Sequence, residues 1–209
     1  MIGDKLIYHS NFKVFNDEII SILKNQFLDK KRICIAVGGE SGSGKTSLAY
    51  ALFLDIEKEL GIKGFIFHGD DYFKLPPKDN HKQRLNDIRN VGISEVNLKL
   101  LDIHIASFLN NETSITKPLV NYTENTIKQE IIYPKEFDFC IVEGTYSMLL
   151  EEASYKVFIE NSYEETKVNR ENRARDILDD FSEKVLEIEH NIIKQQIKFA
   201  DKTVKNTIM

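Results

Sequence analysis

The chain has 209 residues, of which 42% are hydrophobic and 29% are charged, and its formal net charge is −5. This size suits one α/β domain, and the negative charge gives no general attraction to nucleic acid or to anionic lipid. Because no stretch approaches the length of a membrane span and the first ten residues lack a basic region followed by an apolar run, we expect no membrane partner, no nucleic-acid partner and no secretory signal.

The first elements predicted along the chain are a helix over residues 12–28, a buried strand over 32–37 and a second helix over 47–60. A glycine-rich loop joins the strand to the second helix. It fits the pattern G-x-x-x-x-G-K-[ST] at every fixed position, with the residues Gly39, Glu40, Ser41, Gly42, Ser43, Gly44, Lys45 and Thr46. Strand, glycine loop and helix are the arrangement that this motif requires, whereas a chance match would be a plain Gly/Ser turn.

The spacing of the loop suits a polyphosphate. Glycines let successive backbone N–H groups curl around phosphate oxygens without Cβ clashes, and the helix that follows adds the positive end of its dipole. We expect Lys45 to reach the β- and γ-phosphates, Thr46 to ligate Mg²⁺, and Ser47 to complete the nucleotide-binding segment. The predicted cofactors are therefore ATP and Mg²⁺.

The middle of the chain contains a long polar stretch that lacks the apolar spacing of the first elements. Residues 65–68 predict a second strand, and the polar residues 69–90 predict a long loop. Ser94 is predicted to cap a helix that runs to about residue 109. Between residues 112 and 134 we expect a small β-rich insertion with strands over 114–120 and 126–133.

The last third returns to alternating strands and helices. Residues 137–142, 155–159 and 202–204 predict strands, and residues 163–178 and 182–199 have helical spacing. This order predicts an α/β, three-layer P-loop NTPase fold, with a mostly parallel five-stranded sheet and helices on both faces. We expect one domain over 1–209, an acceptor-side insertion at about 112–134 and a lid at about 163–181. Cys34 and Cys140 lie in strand-like runs without metal-ligand spacing, so we expect buried reduced thiols and a cytoplasmic location.

Acidic residues follow two of the predicted strands, at the sheet edge where ligands bind. Asp70 and Asp71 follow the second strand, and Glu143 ends the third. Phosphoryl transfer needs a group that accepts the proton of the nucleophile and carboxylates that hold Mg²⁺. We assign Asp70 as base and metal-linked carboxylate and Glu143 as a second metal ligand, with Asp71 left open as the base. Solvated turn and strand-end charges are the alternative interpretation.

Basic residues form the fourth predicted part of the site. Arg170 and Arg173 are three residues apart, so both point to one side of a helix, and guanidinium groups suit phosphate. We expect both to act in catalysis, unless they belong to a solvated charged face. His68 lies at the mouth of the predicted crevice, where it could contact an acceptor. A further basic set could bind an acidic acceptor or be a solvated loop: Lys82, Arg84 and Arg89.

Taken in order, these segments resemble the uridine kinase/phosphoribulokinase-like family of P-loop small-molecule kinases. The resemblance covers roughly residues 32–204 and rests on five segments: Gly39–Thr46, Gly69–Lys74, Ile141–Gly144, Arg170–Asp176 and Ala200-Asp201. The run Asp-Asp-Tyr-Phe-Lys is also similar to nicotinamide riboside kinases. The resemblance implies that Asp70 is the base, that Glu143 helps to hold Mg²⁺ and that the lid arginines, Arg175 included, contact the phosphates.

The acceptor segments depart from the family pattern. Residues 118–122 read Pro-Leu-Val-Asn-Tyr where uridine kinases carry Pro-x-Tyr-Asp-Phe, and Asn125 stands where a His is expected. We expect the acceptor to contact Asp71, Tyr72, His68 and Tyr122. The predicted activity is transfer of the γ-phosphoryl group of ATP to a hydroxyl of a small metabolite, with a nucleoside such as uridine as the leading acceptor. Nicotinamide riboside, a sugar phosphate, pantothenate and adenylyl sulfate are alternatives within that class. The other hypotheses are a nucleotide-hydrolysing switch and a binding module that has lost catalysis. The sequence leaves open whether the protein forms a homo-oligomer.

Overall fold

The computed structural model describes residues 10–29, 31–173 and 179–206. Within these ranges the strands are β1 (Cys34–Gly39), β2 (Gly64–His68), β3 (Ile115–Asn121), β4 (Thr126–Ile132), β5 (Phe139–Glu143), β6 (Tyr155–Ile159) and β7 (Lys202–Val204). The α-helices are α1 (Lys13–Leu28), α2 (Lys45–Leu60), α3 (Pro77–Asn86), α4 (Leu98–Leu109), α5 (Lys167–Arg173) and α6 (Asp180–Ile193). None of the helices described is long and apolar enough to cross a bilayer.

Five strands form one parallel sheet in the order β2-β5-β1-β6-β7, which confirms the predicted fold class. Alternate residues of β1 face opposite sides of the sheet. Ile35 and Val37 pack with α1 and α2, whereas Cys34 and Ala36 pack with α4 and the elements around it. This two-sided burial explains why β1 is apolar throughout rather than alternating. Both cysteines are buried free thiols, as predicted.

The parallel register aligns the carboxyl ends of the central strands. Val37 of β1 and His68 of β2 both pair with Glu143 of β5. Chain segments that leave these three strands therefore emerge at the same edge of the sheet. This edge is where the glycine loop, the segment after β2 and the end of β5 meet.

The predicted β-rich insertion is a two-stranded antiparallel hairpin of β3 and β4, separate from the main sheet. Ile115, Val120 and Ile132 are buried, and the first and last of these join the core cluster under α4. The hairpin therefore packs on the same side of the sheet as α4, next to the segment that follows β2.

Three sequence predictions need correction. Residues 69–90 are not a continuous loop, because α3 begins at Pro77, a residue whose fixed φ suits the first helical turn. Helix α4 is capped by Asn97, whose side chain accepts a hydrogen bond from the Leu100 N–H, and Ser94 lies in a separate 3-10 turn. The last predicted helix ends at Ile193 and continues as a 3-10 helix over Lys194–Phe199. The limits given above for the domain, the insertion and the lid stay predictions.

Candidate active site

The glycine loop connects β1 to α2 through backbone that favours glycine. Gly42 and Gly44 have φ angles of 78° and 97°, which L side chains rarely adopt. A Cβ on Gly44 would also lie 2.6 Å from the Asn206 side-chain nitrogen. The Lys45 Nζ donates to the Glu40 carbonyl oxygen at 2.9 Å, so the lysine lies across the loop. The loop therefore has the curled shape and the cation that a polyphosphate requires.

Thr46 and Glu143 meet at the mouth of this loop. The Thr46 Oγ1 donates to the Glu143 Oε2 at 3.3 Å, and the His68 Nδ1 lies 2.9 Å from the Oε1 of the same carboxylate. Glu143 is buried, and burial opposes its ionisation. The hydrogen bond and charge of His68, together with the charge of Lys45, still bring the pKa of Glu143 below its usual value. Glu143 is thus a carboxylate that the fold keeps ionised.

Asp70 lies beside this pair because the chain after β2 approaches the end of β5 closely. A Cβ on Gly69 would lie 2.9 Å from the Glu143 carbonyl oxygen, so only glycine fits without displacement. Burial and the negative charge of Glu143 raise the pKa of Asp70, while Lys45 and a hydrogen bond from Tyr122 act in the opposite sense. The Tyr122 Oη donates to the Asp70 Oδ2 at 3.2 Å. The structure therefore brings Asp70, Glu143, Lys45, Thr46, His68 and Tyr122 together.

Asp71, the neighbour of Asp70, has a different position. Its side chain is 0% exposed, and its two oxygens accept hydrogen bonds from the Lys117 Nζ at 3.0 Å and from the Val120 N–H at 2.9 Å. Tyr72 is also buried, with its Oη 2.8 Å from the His104 Nδ1. The expectation that Asp71 and Tyr72 contact an acceptor is corrected, because both side chains are buried. Asp71 bonds to β3 of the hairpin and Tyr72 contacts His104 of α4. Of the two aspartates, Asp70 is the one in the crevice.

Arg170 lies directly over the glycine loop. A Cβ on Gly42 would be 2.8 Å from the Arg170 Cγ, and the arginine is only 2% exposed. Its Nη1 donates to the Tyr163 carbonyl oxygen and to the Thr166 Oγ1, but its Nε and Nη2 are buried and have no hydrogen-bond partner among the described residues. Unpaired guanidinium donors beside a phosphate-binding loop fit an anion.

The rest of the predicted arginine set cannot be placed. The backbone of Arg173 ends α5, but its side chain lies outside the described residues, and so does the whole of Arg175. The predicted roles of Arg173 and Arg175 therefore stay predictions. The structure describes residues 163–173 and 179–181 of the predicted lid, which include α5 and the start of α6.

Two residues of the loop make contacts that have no signal in the sequence. The Glu40 carboxylate accepts a hydrogen bond from the Tyr163 N–H and lies 2.7 Å from the His190 Nδ1, so this side chain binds the protein itself. The Asn206 Nδ2 donates to the Ser43 carbonyl oxygen at 2.9 Å. All three partners lie more than a hundred residues from the loop in sequence. Spacing patterns cannot reveal contacts of this range.

A small, partly open pocket adjoins Asp70. It is lined by Gly69, Asp70, Phe73, Val96, Leu98, Leu101, Gly144, Thr145, Tyr146 and Ser147. The basic residues predicted to face an acidic acceptor are elsewhere: Arg84 is paired with Glu95 and Glu189, Arg89 with Asp87, and Lys82 is largely exposed. The pocket beside the predicted base therefore has mainly apolar walls.

The donor set suits Mg²⁺. Thr46 offers a hydroxyl, and Glu143 and Asp70 offer carboxylates, which are the hard oxygen ligands that this ion prefers. Magnesium in phosphoryl-transfer sites is usually held by one or two carboxylates together with substrate phosphates, and the arrangement fits that pattern. Within the described ranges, no group of three or more His, Cys, Asp or Glu side chains is arranged to hold a metal ion.

Comparison with known proteins adds relatives to this geometry. No protein-family model matches the chain. It is 30% identical over 145 residues to a uridine kinase of Mycoplasma pneumoniae, a match that spans 68% of this chain and 66% of that protein. A uridine kinase of Bacillus mycoides is 28% identical over 183 residues, which are 82% of this chain and 84% of that one. Phosphoribulokinase from Rhodobacter spheroides superposes with a TM-score of 0.64 at 15% identity over 84% of this chain and 70% of its own, a likeness of fold alone.

Proposed function

Since the chain belongs to the uridine kinase/phosphoribulokinase-like family of P-loop small-molecule kinases, we propose that it transfers the γ-phosphoryl group of ATP to a hydroxyl of a small metabolite. The observation that carries the proposal is the convergence of Thr46 and Glu143, 3.3 Å apart, with Asp70 at the mouth of the glycine loop. A nucleoside such as uridine is the leading acceptor, a choice that the names of the two bacterial relatives support.

In this proposal Asp70 is the general base. It accepts the proton of the acceptor hydroxyl as that oxygen attacks the γ-phosphorus, and the bond from phosphorus to the β,γ-bridging oxygen breaks. A raised pKa suits this role, because a base is most effective when its pKa approaches the working pH. The hydrogen bond from Tyr122 holds the carboxylate in one orientation.

The remaining residues bind and orient the phosphates. The amides of the glycine loop and Lys45 hold the phosphate chain, and the unpaired donors of Arg170 lie where they can bind a phosphate oxygen. Thr46 and Glu143 would hold Mg²⁺, which neutralises phosphate charge when it is bound. His68 orients Glu143 through their contact rather than serving as an acceptor contact itself.

The test is a screen for ADP release with ATP, Mg²⁺ and a panel of nucleosides, ribosides, phosphosugars and pantothenate. We expect turnover only with an acceptor, because a kinase site that excludes water hydrolyses ATP slowly alone. Asp70→Asn is expected to lower transfer by about 10²- to 10⁴-fold while ATP binding stays near normal. Asp138→Asn, an exposed carboxylate before the opposite end of β5, is the matched control.

Two results would contradict the proposal in different ways. Full transfer by Asp70→Asn would show that the base is another residue. Nucleotide hydrolysis at the same rate with and without every acceptor would favour a nucleotide-hydrolysing switch instead.

A further inference from the structure

We infer that the acceptor pocket takes a neutral or cationic hydroxyl compound and rejects one that brings a phosphate or a carboxylate into the pocket. The inference rests on the proposed kinase function and narrows its acceptor. It comes from the way in which the fold distributes charge around Asp70.

The pocket itself has apolar walls and a negative end. Phe73, Val96, Leu98 and Leu101 supply the apolar surface, and Asp70 supplies a carboxylate. The lining residues, all within the described part of the chain, include no Lys, Arg or His. Such a surface favours a ring or another apolar group and offers an acid no counter-charge.

Arg84 is a cation that could have bound an acidic acceptor, but it is ion-paired with two carboxylates of the protein. Its Nε lies 2.5 Å from the Glu95 Oε1 and its Nη2 lies 2.9 Å from the Glu95 Oε2. The same Nη2 lies 2.9 Å from the Glu189 Oε1, which belongs to α6. All three side chains are at most 15% exposed. The cluster therefore has one guanidinium for two carboxyl groups. Burial raises the pKa of Glu189, and the charges of Arg84 and Lys45 oppose that rise.

The position of Glu95 leaves Arg84 little freedom to turn toward a ligand. The Glu95 Oε1 also accepts from the Asn80 side chain at 2.8 Å, and its Oε2 accepts from the Gly92 N–H at 2.7 Å. Turning Arg84 toward an acid would strip a buried carboxylate of its paired charge, which is costly. The Arg84 guanidinium therefore stays paired with Glu95 and Glu189 rather than binding an acceptor.

Tyr146 connects this cluster to the pocket. It lines the pocket, and its buried Oη has no hydrogen-bond partner among the described residues. Burial and the negative charges of Glu189 and Glu95 raise the pKa of the Tyr146 phenol, which agrees with a negative field at this wall. An acid in the pocket would thus lie beside Asp70, with the Glu95–Glu189 pair beyond the Tyr146 wall. Repulsion between like charges would lower its affinity.

Other basic side chains offset that field only in part. The charges of Lys45 and His68 oppose the rise in the pKa of Asp70, and the charge of Lys45 also opposes the rise in the pKa of Glu189. Lys117 is buried between Asp71 and Glu130. The Arg89 side chain is 87% exposed and paired with Asp87. Lys45 and Arg170 lie on the glycine-loop side, where phosphates of the nucleotide would use them.

The test compares acceptors with and without a carboxylate on the base. Uridine and orotidine offer the same ribose hydroxyls, but orotidine adds a carboxylate to the base. Nicotinamide riboside and nicotinate riboside form a second pair, in which an amide replaces the acid. We expect kcat/KM to be at least about tenfold lower for the acidic member of each pair. An acidic member used as well as its partner would overturn the inference.

Binding of the same four compounds separates this inference from the proposed function. If none is phosphorylated but the acidic members still bind more weakly in calorimetry with an ATP analogue, the kinase proposal fails and the charge preference holds. If the acidic members bind equally well or more tightly, the charge preference fails whatever the turnover.

A variant tests the source of the preference. Glu189→Gln removes one negative charge and keeps an oxygen for Arg84, so we expect the uridine-to-orotidine ratio of kcat/KM to fall by about tenfold toward unity. Glu187→Gln makes the same charge change at an exposed position of α6, and the ratio should not move. An unchanged ratio in Glu189→Gln would show that the carboxylate pair does not set the preference.

Discussion

The phosphate side of the crevice and its acceptor side are built in opposite ways. On the phosphate side, one continuous run of eight residues, Gly39–Thr46, supplies backbone amides, glycine conformations and a lysine. On the acceptor side, the walls are held by pairs that are far apart in sequence, such as Asp71 with Lys117 and Arg84 with Glu189. The centre of the first side is one local run of sequence, to which distant residues such as His190 and Asn206 add contacts. The second side exists only after the chain has folded.

This difference predicts how each side responds to change. A substitution in the phosphate side removes a contact to the nucleotide and should reduce transfer. A substitution in the acceptor side breaks a buried pair and should reduce stability as well as alter the choice of acceptor. The comparison can be tested by four sets of variants, in order of decreasing effect.

The largest expected effect is on the acceptor side. Lys117→Met removes the cation that pairs with Asp71, a carboxylate whose side chain is fully buried. We expect a loss of about 3–5 kcal/mol in the free energy of unfolding, measured in urea. Lys128 of β4 forms an exposed pair with Glu124, so Lys128→Met should lower the free energy of unfolding by less than about 1 kcal/mol. Equal losses for the two variants would contradict the view that a buried pair anchors the hairpin.

The second effect belongs to the phosphate side. Arg170→Ala removes the guanidinium over Gly42, and we expect ATP-dependent transfer to fall by about 10²- to 10³-fold. Arg170→Lys should recover only part of it, because an ammonium lacks the paired donors of a guanidinium. Lys167→Ala, at an exposed position of α5, is the control. Unimpaired transfer by Arg170→Ala would remove this arginine from the site.

The third effect lies where the two sides meet, at Asp70. Only its ionised form can accept a proton, so kcat/KM falls as pH drops through the pKa of Asp70, which is raised by burial and by Glu143. The hydrogen bond from Tyr122 favours the ionised form. Tyr122→Phe should therefore raise this pKa further, move the acid limb of the pH profile upward and lower kcat/KM by about two- to tenfold.

Tyr133→Phe, an exposed tyrosine just after β4, should leave the same profile unchanged. A limb that moves to lower pH in Tyr122→Phe would mean that the profile reports a group other than Asp70.

The smallest expected effect concerns the N-terminal cap of α4, on the acceptor side. Asn97 caps α4 by accepting a hydrogen bond from the Leu100 N–H at 3.2 Å. Asn97→Ala should cost about 1 kcal/mol of stability without changing the KM for ATP, whereas Ser94→Ala should cost almost nothing. Both stabilities would be measured by thermal unfolding. If Ser94→Ala lost more stability than Asn97→Ala, Ser94 would be the cap, as the sequence had indicated.

The sequence predicted the main sheet well because parallel, doubly covered strands are continuous apolar runs that stand out in any window. Residues 155–159 were predicted with the bounds that the structure has. The bounds of residues 202–204 were also predicted, although this Lys-Thr-Val strand lies at the sheet edge and is not an apolar run. Helix α3 was not predicted because Leu85 is its one large apolar residue and is exposed, so the helix shows no apolar spacing. Asn80 is the one buried residue among its ten. The cap of α4 was misplaced because both Ser94 and Asn97 are residues that favour that position.

By itself, the sequence determined the phosphate side: the spacing of Gly39–Thr46 and the strand ends at Asp70 and Glu143 follow from local pattern and from the rule that parallel strands align their carboxyl ends. Only the tertiary structure shows that Asp70 and Asp71 have different surroundings, because distant segments bring different partners to adjacent residues of the same chemistry. Lys117, forty-six residues away, neutralises and buries Asp71, and Tyr122 and Glu143 turn Asp70 into a carboxylate of the crevice. The physical reason is that ionisation and access depend on neighbours in space, which a linear pattern does not contain.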